Sequence, residues 1–88
     1  MNINKAFVLR NIYNKYLLMP VHSNEAGNDL IYLNEIGAKI WELASIGLSE
    51  EEVIIQLMEE YDISEDSIEK QSINAFIEEL CERKLLYR

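Results

Sequence analysis

The spacing of apolar positions changes once along the chain, at Asn34. Before it they come in short unbroken runs, Phe7-Val-Leu9, Tyr16-Leu-Leu-Met19 and Leu30-Ile-Tyr-Leu33. Short apolar runs bounded by turn-forming residues suit strands, and recurrence every three to four residues marks amphipathic helices. The chain therefore reads as a sheet followed by a helical layer.

Lys5 to Arg10 and Tyr16 to Pro20 form the first two predicted strands. The segment between them holds Asn14, which tolerates the left-handed backbone of a tight turn, so the pair reads as a β-hairpin. Pro20 donates no ladder bond and ends its strand or leaves it on an edge. Residues 21–28 have loop composition and include His22, and the third strand is Leu30 to Leu33.

From Asn34 the period is helical. Asn34 is an N-cap, Ile36, Ile40, Trp41, Leu43 and Ala44 share one face, and Gly47 closes the helix. Trp41 is read as a core anchor, and Gly37 as the point where this helix approaches the sheet closely. Ser49 and Glu52 have the spacing of a capping box, followed by a stripe of Val53, Ile54, Leu57, Met58 and Tyr61 ending near Asp62. Ser64 is the expected cap of a third helix whose face is Ile68, Ile73, Phe76, Ile77, Leu80 and Cys81. Leu85 and Leu86 are expected to fold back on the core. This order predicts an α+β fold of winged helix-turn-helix type, a three-stranded antiparallel sheet followed by three helices, with residues 1–88 as one domain.

Composition narrows the function. The chain is 49% apolar and 27% charged, which suits a folded domain, and its net charge is −8. Residues 1–24 carry Lys5, Arg10 and Lys15 without an acid, whereas the remainder carries all sixteen acids against five bases. A helical layer this acidic is a poor surface for phosphates, so nucleic acid is not the expected partner. No apolar run reaches the roughly 20 residues that span a bilayer, and no signal-peptide pattern opens the chain; a cytoplasmic protein without a membrane partner is expected. One cysteine, Cys81, allows no internal disulfide, and with His22 as the single histidine no metal site or cofactor is expected. No phosphate loop and no nucleophile with its base is present, so the chain is not read as an enzyme.

Two other readings have local support. Asp66-Ser67-Ile68 is similar to the Asp-Ser-Leu attachment site of acyl and peptidyl carrier proteins, although a carrier would be helical where residues 5 to 33 read as strands. A winged-helix DNA binder would present the third helix, where Lys70 and Arg83 are outnumbered by Glu65, Asp66, Glu69, Glu78, Glu79 and Glu82. The third strand suggests something else. A strand at a sheet edge leaves main-chain amides and carbonyls unpaired, and an extended peptide can add there. A loop or a self-dimer would be the other ways to cover that edge.

Leu33-Asn-Glu-Ile-Gly-Ala-Lys-Ile-Trp-Glu-Leu43 resembles the Leu-Asn-Glu-x-Gly-Ala-x-Ile-Trp-x-Leu stretch of PqqD-like proteins, the precursor-peptide recognition elements of ribosomal natural-product pathways. Phe7-Val-Leu-Arg10, and Phe76-Ile-Glu-Glu-Leu80 with Leu85-Leu86, are similar to that family's first strand and last helix. Lys84 departs from a common helix-ending Gly, and Asn14 from a common hairpin Gly. The resemblance implies a non-catalytic domain that binds the leader of a precursor peptide beside the third strand. It would present that peptide to a modifying enzyme, such as a radical SAM enzyme, or to a leader protease. It further implies that Leu30, Ile31, Tyr32 and Leu33 form the docking edge, Ile73 and Ile77 the helix wall, and Lys70 and Asn74 polar contacts at its rim. Phe76 and Leu80 are assigned to the core. On this reading Ile73→Glu weakens binding and leaves the fold intact.

Overall fold

A computed structural model describes residues 1–21 and 30–88. The predicted loop from His22 onward lies outside the described residues. In chain order the elements are β1 (Asn2–Ile3), β2 (Phe7–Ile12), β3 (Lys15–Pro20), β4 (Ile31–Leu33), α1 (Glu35–Ser45), α2 (Glu50–Glu60), α3 (Ile68–Glu82) and β5 (Leu86–Tyr87). The three predicted strands correspond to β2, β3 and β4, an antiparallel sheet in that order followed by three helices. The expected α+β, winged helix-turn-helix-like architecture is present. None of the described helices is long and apolar enough to cross a membrane.

The hairpin is tighter than its sequence suggests. Tyr13 (φ 51°) and Asn14 (φ 64°) are both left-handed and alone connect β2 to β3, whose ladder extends to Ile12↔Lys15. Two such residues make the turn whose twist matches that of the flanking strands. Across the sheet, Leu9 pairs with Leu18 and Leu18 with Ile31, and this row faces the helices. Leu18 is fully buried there.

Asn34 caps α1 by accepting from the Gly37 amide at 2.8 Å, as its position predicts. A Cβ on Gly37 would lie 3.4 Å from both Leu33 Cβ and Asn34 Oδ1, so the glycine does permit close approach of helix and strand. Ser49 and Glu52 form the expected capping box. The third helix starts later than predicted. Its cap is Ser67, whose Oγ accepts from the Lys70 amide and donates to the Ser64 carbonyl, and Ile68 stands outside the core at 76% exposure. Either serine can cap; only the placement of Ile73 and Ile77 against the other helices selects the start.

All three helices end alike. The amides of Leu48, Ile63 and Leu85 each donate five residues back, to the carbonyls of Leu43, Met58 and Leu80. The residue before each is left-handed: Gly47, Asp62 and Lys84. This is the Schellman arrangement, in which an apolar residue after the turn folds back on the helix. Lys84 therefore occupies a position that favours glycine, at φ 60°. Lys84→Gly is expected to raise stability by about 0.5–1 kcal/mol, since the left-handed penalty for a side chain exceeds glycine's entropic cost. Chemical denaturation checks this; a destabilised variant would refute it.

One element had no signal in the apolar pattern. After the Lys84 turn, Leu86–Tyr87 pairs with Asn2–Ile3 as a second, two-stranded sheet, and Asn4 Nδ2 donates to the Lys84 carbonyl at 3.0 Å. Leu85 and Leu86 do return to the core, at 2% and 1% exposure. Arg88 then pairs with Glu50 of α2 and Glu78 of α3. The core that results joins Leu18 and Leu33 of the sheet to Ile40, Trp41, Val53, Leu57, Ile77 and Leu80 of the helices.

Candidate functional site

Strand β4 is bonded to β3 on one side. On its other side none of the described residues supplies a main-chain hydrogen bond or a strand. The register turns Ile31 and Leu33 toward the core and Tyr32, 66% exposed, to the opposite face. Leu30, the first residue of the expected edge, lies just before the strand and is exposed. Burial of the Leu33 side chain does not remove its backbone from the edge, because strand addition uses main-chain groups.

A cleft of about 410 Å³ opens where β4 passes into α1. Its apolar lining is Ile36 from the first turn of α1, Ile63 from the α2–α3 connection, and Phe76 from α3, with Ile73 beneath them. Asp62 and Glu69 provide acids, and no cation lines it. At the same junction the Tyr61 hydroxyl donates to Glu35 at 2.7 Å, tying the end of α2 to the start of α1. That bond, with some desolvation, pushes the phenol up to about 12, so it remains a neutral donor.

The residues of the expected helix wall and its rim are divided between the core and two separate clefts. Ile77 is wholly buried and Ile73 is 2% exposed, so both belong to the core and only Ile73 reaches the cleft, as its floor. Lys70 and Asn74 are not in that cleft. They line a separate groove between α2 and α3, and Lys70 is paired there with Glu65. Phe76, assigned to the core from sequence, is half-buried and forms the accessible wall, together with Ile36 and Ile63. The helical rotation of about 100° per residue explains the split. Lys70 and Asn74 fall on the Ile77 side of α3, whereas Glu69, Ser72 and Phe76 fall on the other. A helical wheel centred on Ile73 would have separated these sets.

The alternative chemistries lose their residues to other roles. Ser67, the serine of the carrier-like triplet, is engaged as an N-cap on both its donor and acceptor sides. On α3, Lys70 pairs with Glu65 and Arg83 lies 3.8 Å from Glu79, so the cations a DNA backbone would need are already matched to acids. Burial raises the Cys81 thiol above its ordinary range, opposite to the shift a reactive thiolate requires.

Comparisons with known proteins bear on the family and the fold. The sequence matches the family described as coenzyme PQQ synthesis protein D (PqqD) over residues 16–86, from β3 into β5. No curated protein gives a significant match. Among solved structures, the chain is similar to one described as TbiB1 in complex with the TbiA(beta) leader peptide. The TM-score is 0.74 at 23% identity, over 100% of this chain and 99% of that one. At that identity the likeness establishes the fold. The matched span contains β4, its cleft and the whole stretch from Leu33 to Leu43, and by that match this chain belongs to the PqqD family.

Proposed function

We propose that this domain binds the leader segment of a ribosomally made precursor peptide as an added strand beside β4, and has no catalytic role of its own. Main-chain bonds to Ile31, Tyr32 and Leu33 would supply affinity, and an apolar leader side chain in the cleft between Ile36, Ile63 and Phe76 would supply selectivity. The observation that carries this reading is an edge unpaired among the described residues, beside an apolar cleft, in a member of the PqqD family. The similar fold of TbiB1, described with a leader peptide, supports it. The bound precursor would be handed to a modifying enzyme, such as a radical SAM enzyme, or to a leader protease, in the cytoplasm where such peptides are made.

Fluorescence-anisotropy titration with the leader peptides encoded beside this gene tests the proposal. Saturable binding of one of them is expected. Phe76→Ser, which changes no charge at a half-buried position, is expected to weaken it about tenfold. A folded protein that binds none of these leaders refutes the function. Unchanged affinity in Phe76→Ser would refute the cleft.

A further inference from the structure

The sheet has a second face, and the helices leave it uncovered. The residues of β2, β3 and β4 that pack on the core are Phe7, Leu9, Tyr16, Leu18, Ile31 and Leu33. The register sends the alternate positions the other way: Arg10, Leu17 and Tyr32 form one row across all three strands. Val8 with Met19, and Ile12 with Lys15, form the rows beside it.

An antiparallel sheet with one face on the core normally shows polar residues on the other. Here four of these seven outward positions are aliphatic and a fifth is tyrosine. Ile12 is 41% and Tyr32 66% exposed, while Leu17 at the centre is buried. A patch of this kind, apolar at the centre and charged at its margin, has the anatomy of an interface.

The charges identify what fits. Arg10 and Lys15 stand on this face, no acid shares the outward rows, and neither cation has an ion pair among the described residues. A second copy seated face to face would add two more cations and no outward acid to a desolvated contact, which opposes association. Two cations are also too few for a phosphate backbone to gain much by counterion release. We propose that the outer face of the β2–β3–β4 sheet is a docking surface for a partner protein that presents acidic side chains around an apolar patch. A leader strand added beside β4 would widen this face next to Tyr32, so such a partner would touch domain and leader together. The surface exists without the leader, and its test does not depend on leader binding.

The probe is a synthetic 18-residue helix with one leucine face and one glutamate face, titrated into the ¹⁵N-labelled full chain. Shifts are expected at the amides of Arg10, Ile12, Lys15 and Leu17, although probe and protein are both net anionic. Arg10→Glu is expected to weaken binding about tenfold. Ile12→Ser, at an exposed position and without charge change, should weaken it as well, and a leucine–lysine helix should leave these amides unmoved. Shifts centred on the helices, absence of shifts in β2 and β3, or indifference to Arg10→Glu would overturn the proposal. So would a concentration-dependent dimer, seen by analytical ultracentrifugation and dissolved by Ile12→Ser, which would make a second copy the occupant. Leader anisotropy measured on the same samples reads the β4 function separately.

Discussion

Trp41→Ala is expected to lower the free energy of unfolding by about 3–5 kcal/mol. The indole lies in the middle of α1 at 3% exposure and belongs to the one buried cluster that joins sheet and helices. Its removal leaves a cavity that these elements cannot close without moving apart, so the cavity cost adds to the lost transfer energy. A domain of this length has a total stability of about 4–13 kcal/mol, so the variant would sit near the edge of folding. Urea denaturation followed by far-UV circular dichroism measures it, with the midpoint falling by more than 1 M if the slope is about 1–2 kcal/mol/M. A loss below about 1 kcal/mol would mean that Trp41 does not hold the two layers together.

Ile73→Glu should unfold the protein near neutral pH, against the sequence-based expectation that it would spoil only a groove. The position is 2% exposed and belongs to the buried cluster formed by the sheet and the helices. A carboxylate there would have to leave water without a partner, which costs several kcal/mol even after relaxation. Desolvation would raise the carboxyl's folded pKa above its ordinary value of about 4.3. The penalty would thus be largest above that raised value and would be relieved as pH falls toward 4.3. Circular dichroism of Ile73→Glu beside Phe76→Ser separates the two roles: the first should lose its helical signal at pH 7, and the second should keep it while binding leader more weakly. A folded Ile73→Glu that fails to bind leader would restore Ile73 to the groove wall.

These two expectations show how far α3 could be read from residues. Spacing put Ile68, Ile73, Phe76, Ile77, Leu80 and Cys81 on one face; Ile73, Ile77 and Leu80 are buried, Phe76 and Cys81 are half-buried, and Ile68 is exposed. The flanking residues were not so clear. The stripe separates a side bearing Lys70 and Asn74 from a side bearing Glu69 and Phe76, and only the packing of α3 against its neighbours shows which side opens beside β4. The α2 stripe behaved likewise: Val53 and Leu57 are buried, whereas Ile54 and Met58 are half-buried and line the groove shared with Lys70.

What the chain determined by itself was local. Asn34 and the Ser49–Glu52 pair cap the helices predicted for them, Asn14 and Gly47 take left-handed backbone, and the helical spacing after Asn34 places Ile40 and Trp41 inside. Each follows from interactions among residues a few positions apart, which sequence spells out directly. The tertiary structure decided the rest. Unbroken runs such as Tyr16-Leu-Leu-Met19 carry no alternation, so which residues faced the helices depended on the register with β2 and β4. The two-residue strands at either end are too short for any period and exist only because the fold brings Ile3 to Leu86. The edge of β4, the cleft at its junction with α1 and the sheet face turned away from the helices are likewise properties of assembled elements, because each depends on what the other described elements leave unpaired or exposed.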